Sequence, residues 1–262
     1  MKQYILGNWK MFKTKNEIQS FCHEFNNLWN HDANLSNLPI IVGIAPTYVG
    51  LSIFQTLNKT TTNVIAQNAN ANISGAFTSE VSFNMLKDLD VNMVLIGHSE
   101  VRSHLHETDT IINKKNQVLL EQNMTPILCI GETLNEFESG QTINVLQKQL
   151  ELALQNINPS KITQLIIAYE PVWAIGTGKT ATAELIQKTF HEIKKILQNL
   201  VKENVDKIPL LYGGSVNEKN AAEILRIQHV NGVLVGGASL DPQKFYDIIR
   251  SSPNYQKFTQ GQ

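Results

Sequence analysis

A few short stretches of this chain carry residue types that can do chemistry. Asn8 and Lys10 follow the apolar run Tyr4–Leu6. Residues two apart on a strand point to the same side, so an amide and a cation would share one face there. A lone Lys reads equally well as an ordinary surface residue. The run Met93–Ile96 ends in Gly97-His98-Ser99-Glu100. A neutral imidazole can donate a hydrogen bond to a carbonyl oxygen. If Ser99 and Glu100 open a helix, its N-terminal amides disfavour the imidazolium form of His98. Glu100 reads either as an active-site carboxylate or as the acid a first helical turn favours. The run Leu165–Tyr169 ends in Glu170, followed by Pro171-Val172-Trp173-Ala174-Ile175-Gly176-Thr177-Gly178-Lys179-Thr180. Most loops are polar, whereas this one is apolar between Pro171 and Gly176. It reads as a lid that excludes water and offers backbone to a ligand at Gly176, or else as a loop packed over the end of a sheet. Gly213-Gly214-Ser215 and Gly236-Gly237 close the runs Pro209–Tyr212 and Gly232–Val235. Glycine lets a phosphate approach backbone N–H groups, and two such pairs on neighbouring runs point to a phosphate site. His104 and His106 suggest a metal pair. Residues two apart on a helix do not face each other, so a solvated face is the better reading and no metal is expected.

These groups need a scaffold. Hydrophobic residues are 42% and charged residues 17% of the 262, with a formal net charge of -1. That composition fits a globular protein and gives no basic face for nucleic acid or a membrane surface. An anionic substrate must therefore be held by a local site. Cys22 and Cys129 form neither a disulfide framework nor a zinc ligand set, and a reducing compartment is expected. The first apolar stretch ends at Leu6, too short for a signal-peptide core, and no stretch has the roughly 20 apolar residues of a membrane span. The expectation is a cytoplasmic protein.

Short apolar runs recur at Tyr4–Leu6, Ile40–Ile44, Asn63–Ala66, Met93–Ile96, Pro126–Ile130, Leu165–Tyr169, Pro209–Tyr212 and Gly232–Val235. Strands buried on both faces read this way. Helical periods lie between them. Thr14 and Glu17 make a capping box before Ile18, Phe21, Cys22, Phe25, Leu28 and Trp29. Ile143, Leu146, Leu150, Leu154 and Ile157 mark a second helix. A third starts at Thr182, with Ile186, Phe190, Ile193, Leu197 and Leu200 on its buried face. Asp241-Pro242 caps a last one with Phe245, Ile248 and Ile249. Strand then helix, eight times over, predicts an α/β fold: a single (β/α)8 barrel domain over residues 1–262, eight parallel strands surrounded by helices. A doubly wound open sheet is the rival, but no dinucleotide fingerprint follows the first run. Residues 251–262 are polar, and fraying is expected there. In such a barrel the chemistry sits at the strand ends.

The segments Gly7–Met11, Ile96–Glu100, Ala168–Thr182, Tyr212–Val216 and Gly232–Leu240 resemble the signature stretches of the triosephosphate isomerases, in that family's order and across nearly the whole chain. The resemblance implies a glycolytic and gluconeogenic isomerase that uses no cofactor. It implies Glu170 as catalytic base, His98 as electrophile, Lys10 as the cation beside the substrate oxygens, Asn8 as an amide near it and Glu100 as an acid close to Lys10. It implies Gly176, Ser215, Gly236 and Gly237 as backbone donors to the phosphate. A Glu base paired with a neutral His is that family's well-known arrangement, and for Glu170 and His98 the pairing rests on the resemblance alone.

The resemblance also implies a homodimer, with Gln67 at the base and Thr78 near the tip of a loop that reaches into a second copy. Two departures stand out. Val101 precedes Arg102 where the family usually has two Arg, and Ser79 stands where Gly is common. The rival functions are a metal-dependent sugar-phosphate epimerase, which should show His and Asp at several strand ends, and a non-catalytic phosphate-binding barrel, which should lack one of Lys10, His98 and Glu170.

Overall fold

The computed structural model describes residues 2–32, 35, 38–175 and 181–260. Strands β1 (Gln3–Asn8), β2 (Ile40–Ala45), β3 (Asn63–Ala66), β4 (Met93–Ile96), β5 (Thr125–Ile130), β6 (Ile166–Tyr169), β7 (Leu210–Tyr212) and β8 (Gly232–Val235) pair in chain order. Every pairing is parallel, and β8 returns to β1 with Leu6 opposite Leu234, closing the barrel. The open-sheet alternative is thereby excluded.

Alternation along each strand builds two cores. Leu6, Met93, Leu95, Ile127, Cys129, Ile166, Ala168, Leu211 and Leu234 fill the barrel interior. Ile5, Val94, Ile96, Leu128, Ile167, Leu210 and Val233 face outward into the packing against helices. With both faces buried, near-continuous apolar runs are what the geometry demands. The same period places Asn8 after Leu6, Glu170 after Ala168, Gly213 after Leu211 and Gly236 after Leu234. All four therefore emerge on the inner side at the C-terminal mouth.

The outer layer comprises α1 (Lys15–Asn30), α2 (Leu51–Leu57), α3 (Phe83–Asp88), α4 (Ser99–His104), α5 (Asp109–Glu121), α6 (Leu134–Glu138), α7 (Thr142–Ala153), α8 (Ala183–Val201), α9 (Ala221–Ile224), α10 (Pro242–Arg250) and α11 (Pro253–Gln260). The predicted starts are in place. Glu17 accepts the Thr14 backbone N–H at 2.7 Å ahead of α1, Thr182 caps α8 and Asp241 caps α10 with Pro242 in its first turn. Three expectations need correction. Leu154 and Ile157 lie past the end of α7. Leu200 falls off the buried stripe of α8 and is 37% exposed. The segment expected to fray is instead helical over Pro253–Gln260. Tyr255 is buried there, and its hydroxyl donates to Asp32 Oδ2 at 2.7 Å, while Asn254 N–H donates to Gln3 Oε1 at 3.1 Å. Polar composition concealed anchors that lie far away in sequence.

Candidate active site

Beyond β1 the chain turns sharply, and Lys10 takes a φ of 52°. A non-glycine residue in that region costs about 1–2 kcal/mol, so neighbours must hold it. Asn8 Oδ1 accepts the Lys10 backbone N–H at 3.0 Å, and Gln67 Nε2 donates to the Lys10 carbonyl at 2.8 Å. The same Gln67 amide also donates to the Ala45 carbonyl at 2.9 Å, stapling the turn to β2. Trp9, wholly buried between them, donates from Nε1 to the Ser239 carbonyl at 2.9 Å. The Lys10 ammonium is thus presented from a strained, well-tethered turn. Its Nζ donates to Glu100 Oε1 at 2.6 Å.

At the end of β4, Gly97 adopts a φ of 68°, which breaks the strand alternation. His98 rather than Gly97 then lines the mouth cavity. Both backbone groups of Gly97 are held by charged side chains. Its N–H donates to Glu107 Oε2 at 3.1 Å, and its carbonyl accepts from Arg102 Nε at 2.6 Å. Arg102 also donates to Asp109 Oδ1 at 2.6 Å and to the Cys129 carbonyl at 3.2 Å. Glu107 is in turn paired with the buried Lys115. His98 caps α4, its Nδ1 accepting the Glu100 N–H at 3.2 Å. A ring nitrogen that accepts an amide proton carries none of its own, so the neutral ring holds its proton on Nε2.

Glu170 is almost fully buried at the end of β6. Its Oε1 lies 3.1 Å from His98 Nε2, and its Oε2 accepts the Ser99 N–H at 3.2 Å. The helix opened by Ser99 therefore offers its first amides to this carboxylate and to the imidazole together. A Cβ on Gly213 would sit 2.9 Å from Glu170 Cγ, so only glycine lets β7 pass so close. Burial alone would raise the Glu170 pKa. The His98 ring, the Ser99 amide and the Lys10 charge outweigh it and hold the carboxyl below its usual value. Burial likewise pushes the imidazole of His98 down, and the adjacent Glu170 carboxylate overcomes this and raises it.

One cavity of about 640 Å3 at the mouth is lined by Asn8, Lys10, His98, Glu170, Ser215, Gly236 and Gly237. The structure thus brings together residues drawn from five separate stretches of sequence. Glu100 stands beside the cavity, half exposed, as the ion-pair partner of Lys10. Ser215 also donates from Oγ to the Ala174 carbonyl at 2.6 Å, at the near end of the loop after β6. Gly176 lies outside the described residues. Thr78 is exposed and away from the cavity. Ser79 takes a φ of 78°, a conformation glycine would adopt freely. The two histidines flagged as a metal pair do not share a helix face, since α4 ends at His104 and His106 lies beyond it at φ 55°.

The sequence reading missed Glu132. This fully buried carboxylate at the end of β5 accepts Trp173 Nε1–H at 2.8 Å and the Tyr169 hydroxyl at 3.1 Å, tying the start of the apolar loop to the barrel. Burial raises its pKa. The signal was available, because Gly131-Glu132 ends a strand run as Glu170 does. The clamps Arg102 and Glu107 were missed as well, since both read as ordinary helix-flanking charges.

The family model for triosephosphate isomerase matches residues 3–252. Among curated proteins, a triosephosphate isomerase of Mycoplasmoides gallisepticum is 46% identical over 96% of this chain and 98% of its own length. One of Chlamydia trachomatis is 44% identical over 95% of this chain and 89% of its own, and one of Fusobacterium nucleatum is 40% identical over 94% and 97%. The closed parallel barrel, the constellation at its mouth and these similarities agree: the chain belongs to the triosephosphate isomerase family.

Proposed function

We propose that the barrel mouth interconverts dihydroxyacetone phosphate and D-glyceraldehyde 3-phosphate through an enediolate, without a cofactor. Family membership supports the reaction. The observation that carries the residue roles is the buried Glu170 carboxylate 3.1 Å from the one imidazole nitrogen able to donate. Glu170 removes a proton from C1 of dihydroxyacetone phosphate, and the electron pair of that bond moves toward the carbonyl. His98 Nε2–H donates to the oxygen that gains charge, and the Lys10 ammonium faces it as a fixed cation. Pre-aimed donors of this kind contribute about 3–4 kcal/mol each in a dry site. Glu170 then returns the proton to C2. Asn8 Oδ1 is engaged by the Lys10 backbone, which leaves its amide N–H groups for the substrate. Glu100 fixes the Lys10 ammonium.

The substrate oxygen must take the place on His98 Nε2 that Glu170 fills. The carboxylate then leaves both the ring and the Ser99 amide, and loses the groups that hold its pKa down. Withdrawn from them into a closed, dry site, it becomes a stronger base. Backbone N–H groups at Gly176, Ser215, Gly236 and Gly237 hold the phosphate, supplying binding energy remote from the reacting carbons.

The same reading makes the working protein a cytoplasmic homodimer. Met11 at 91% exposure, Val49 at 82% and Ile73 at 61% leave apolar surface on the loops after β1, β2 and β3. Such surface is suited to burial against a second copy, with Thr78 inserted and Gln67 bracing the Lys10 turn behind it. No described helix is long and apolar enough to cross a membrane.

Turnover of glyceraldehyde 3-phosphate by the purified protein, beside Glu170→Gln and with no added metal or nucleotide, tests the reading. Fast turnover in the parent and a fall of several orders of magnitude in the variant are expected. A folded parent without turnover would overturn the proposal in favour of a phosphate-binding relative.

A further inference from the structure

At the opposite, N-terminal face of the barrel lies a depression of about 460 Å3. It is bounded by the start of β1, the α9–β8 connection and the first turn of α11. Lys2, Arg226 and Lys257 line it, and no acidic residue does. None of these three cations has an ion-pair partner among the described residues. In a chain whose formal net charge is -1, three unpaired cations around one hollow concentrate positive potential there.

Exposed lysines alone would make only a solvated surface. The second observation is Gln3, which lines the hollow while being only 9% exposed. Its Oε1 accepts the Asn254 N–H at 3.1 Å, which fixes the orientation of the amide. Its Nε2 has no partner among the described residues. Asn231 repeats the pattern: Oδ1 accepts the Leu210 N–H at 2.9 Å, leaving its amide N–H groups unpaired at the same hollow. Arg226 is steadied by donating to Gln256 Oε1 at 2.6 Å and to the Ala222 carbonyl at 3.1 Å. Two amides whose acceptors are engaged inward and whose donors remain free, beneath three cations, form a donor-rich lining. Among the lining side chains, only the Asn254 carbonyl oxygen adds a free acceptor. Neither amide nitrogen is sealed from solvent, so an anion entering the hollow exchanges water for hydrogen bonds that its own charge strengthens.

We propose that this hollow is a binding site for a small organic polyanion, a molecule carrying two or more phosphate or carboxylate groups. The anion oxygens accept from Gln3 Nε2 and Asn231 Nδ2, and Lys2, Arg226 and Lys257 neutralise its charge. The site depends on α11, which starts just beyond the segment matched by the family model. It is separate from the mouth cavity, sharing no lining residue with it.

The test is an amide NMR titration of the full chain with tripolyphosphate in one arm and citrate in the other. Resonances of residues 225–231 and 254–257 report the hollow, and those of Gly236 and Gly237 report the mouth. Saturable shifts at the hollow in either arm are expected, the responding arm naming the anionic group. Gln3→Glu keeps the acceptor for Asn254 N–H and replaces the donor with negative charge. It should weaken binding at the hollow by about tenfold or more, leaving the mouth resonances and isomerase turnover unchanged. The double substitution Lys2→Ala with Lys257→Ala, confined to the exposed rim, should do the same even if Gln3→Glu fails to fold. No saturable shift at the hollow with either anion, or unchanged affinity in the folded variants, would overturn the proposal.

Discussion

Glu170 Oε1 lies 3.1 Å from His98 Nε2 while the other carboxylate oxygen takes the Ser99 amide. In the proposed mechanism the base therefore rests on the donor it must vacate for substrate. This fixes the pH dependence of the free enzyme. The Glu170 pKa is depressed below 4.5 in the folded state, so the ionised form persists to lower pH than an ordinary Glu. The stability this carboxylate contributes is complete above the unfolded value and is lost as pH falls through the lower folded value. The acid limb of kcat/KM should accordingly lie below the ordinary Glu range. In His98→Gln, which removes the ring that does most to lower it, the limb should move upward and kcat should fall by about 10²–10³. A pH–rate profile of both proteins checks this, and an unmoved limb would sever the link between the two residues.

Gly97 is gripped from both sides, and the grip sets the direction of His98. Arg102 holds the Gly97 carbonyl, the Cys129 carbonyl and Asp109 at once through its planar fork. A Lys cannot reproduce three such directions. Arg102→Lys should lower kcat by about 10–100-fold with little change in KM, as expected when a donor is displaced by a fraction of an ångström. Steady-state kinetics decides. Equal losses in kcat and in thermal stability, with KM raised, would instead mean that the fold around β4 had given way.

The eight strands were legible because both faces of each are buried, so their apolar runs are nearly unbroken. Asn8, Glu170 and Gly236 were legible because strand parity carries them to the mouth. Long-range capture was not legible. Nothing local in Arg102 or Glu107 says that a glycine between them and the imidazole needs holding. Nothing in Asn254 or Tyr255 says that Gln3 and Asp32 wait for them across the chain. Glu132 failed for another reason. Its place at the end of a strand run was a signal, but a lone acid in a Gly-Glu-Thr turn also resembles solvent-facing punctuation, and its enclosure by Trp173 and Tyr169 comes from the barrel.

Ser79 holds a φ of 78° on an exposed loop. The left-handed region costs a residue with a Cβ about 1–2 kcal/mol, and glycine's greater freedom when unfolded returns part of that. Ser79→Gly should therefore stabilise the protein by about 0.5–1 kcal/mol. Denaturant unfolding at several protein concentrations measures it. The same gain at every concentration is expected if the strain is local to the loop. A gain that grows with concentration would place the Ser79 backbone in the contact between copies.

The docking of α11 makes the last prediction. Asp32 Oδ2 accepts hydroxyls from both Tyr246 at 3.0 Å and Tyr255 at 2.7 Å, and Arg250 stacks over both rings while donating to the Tyr255 hydroxyl at 3.1 Å. A hydrogen bond to a carboxylate is worth more than one between neutral groups, although partial exposure weakens it. Tyr255→Phe leaves the ring packing and removes only the hydroxyl. It should cost about 1–2 kcal/mol in denaturant unfolding. It should also raise amide exchange across 254–260, while isomerase turnover, proposed for the far end of the barrel, stays as it was. If exchange in that segment were unchanged, the Asn254 contacts to Gln3 Oε1 and the Pro39 carbonyl would be sufficient to seat the helix. In that case Gln3→Leu, which removes the first of them, should release α11 where Tyr255→Phe does not.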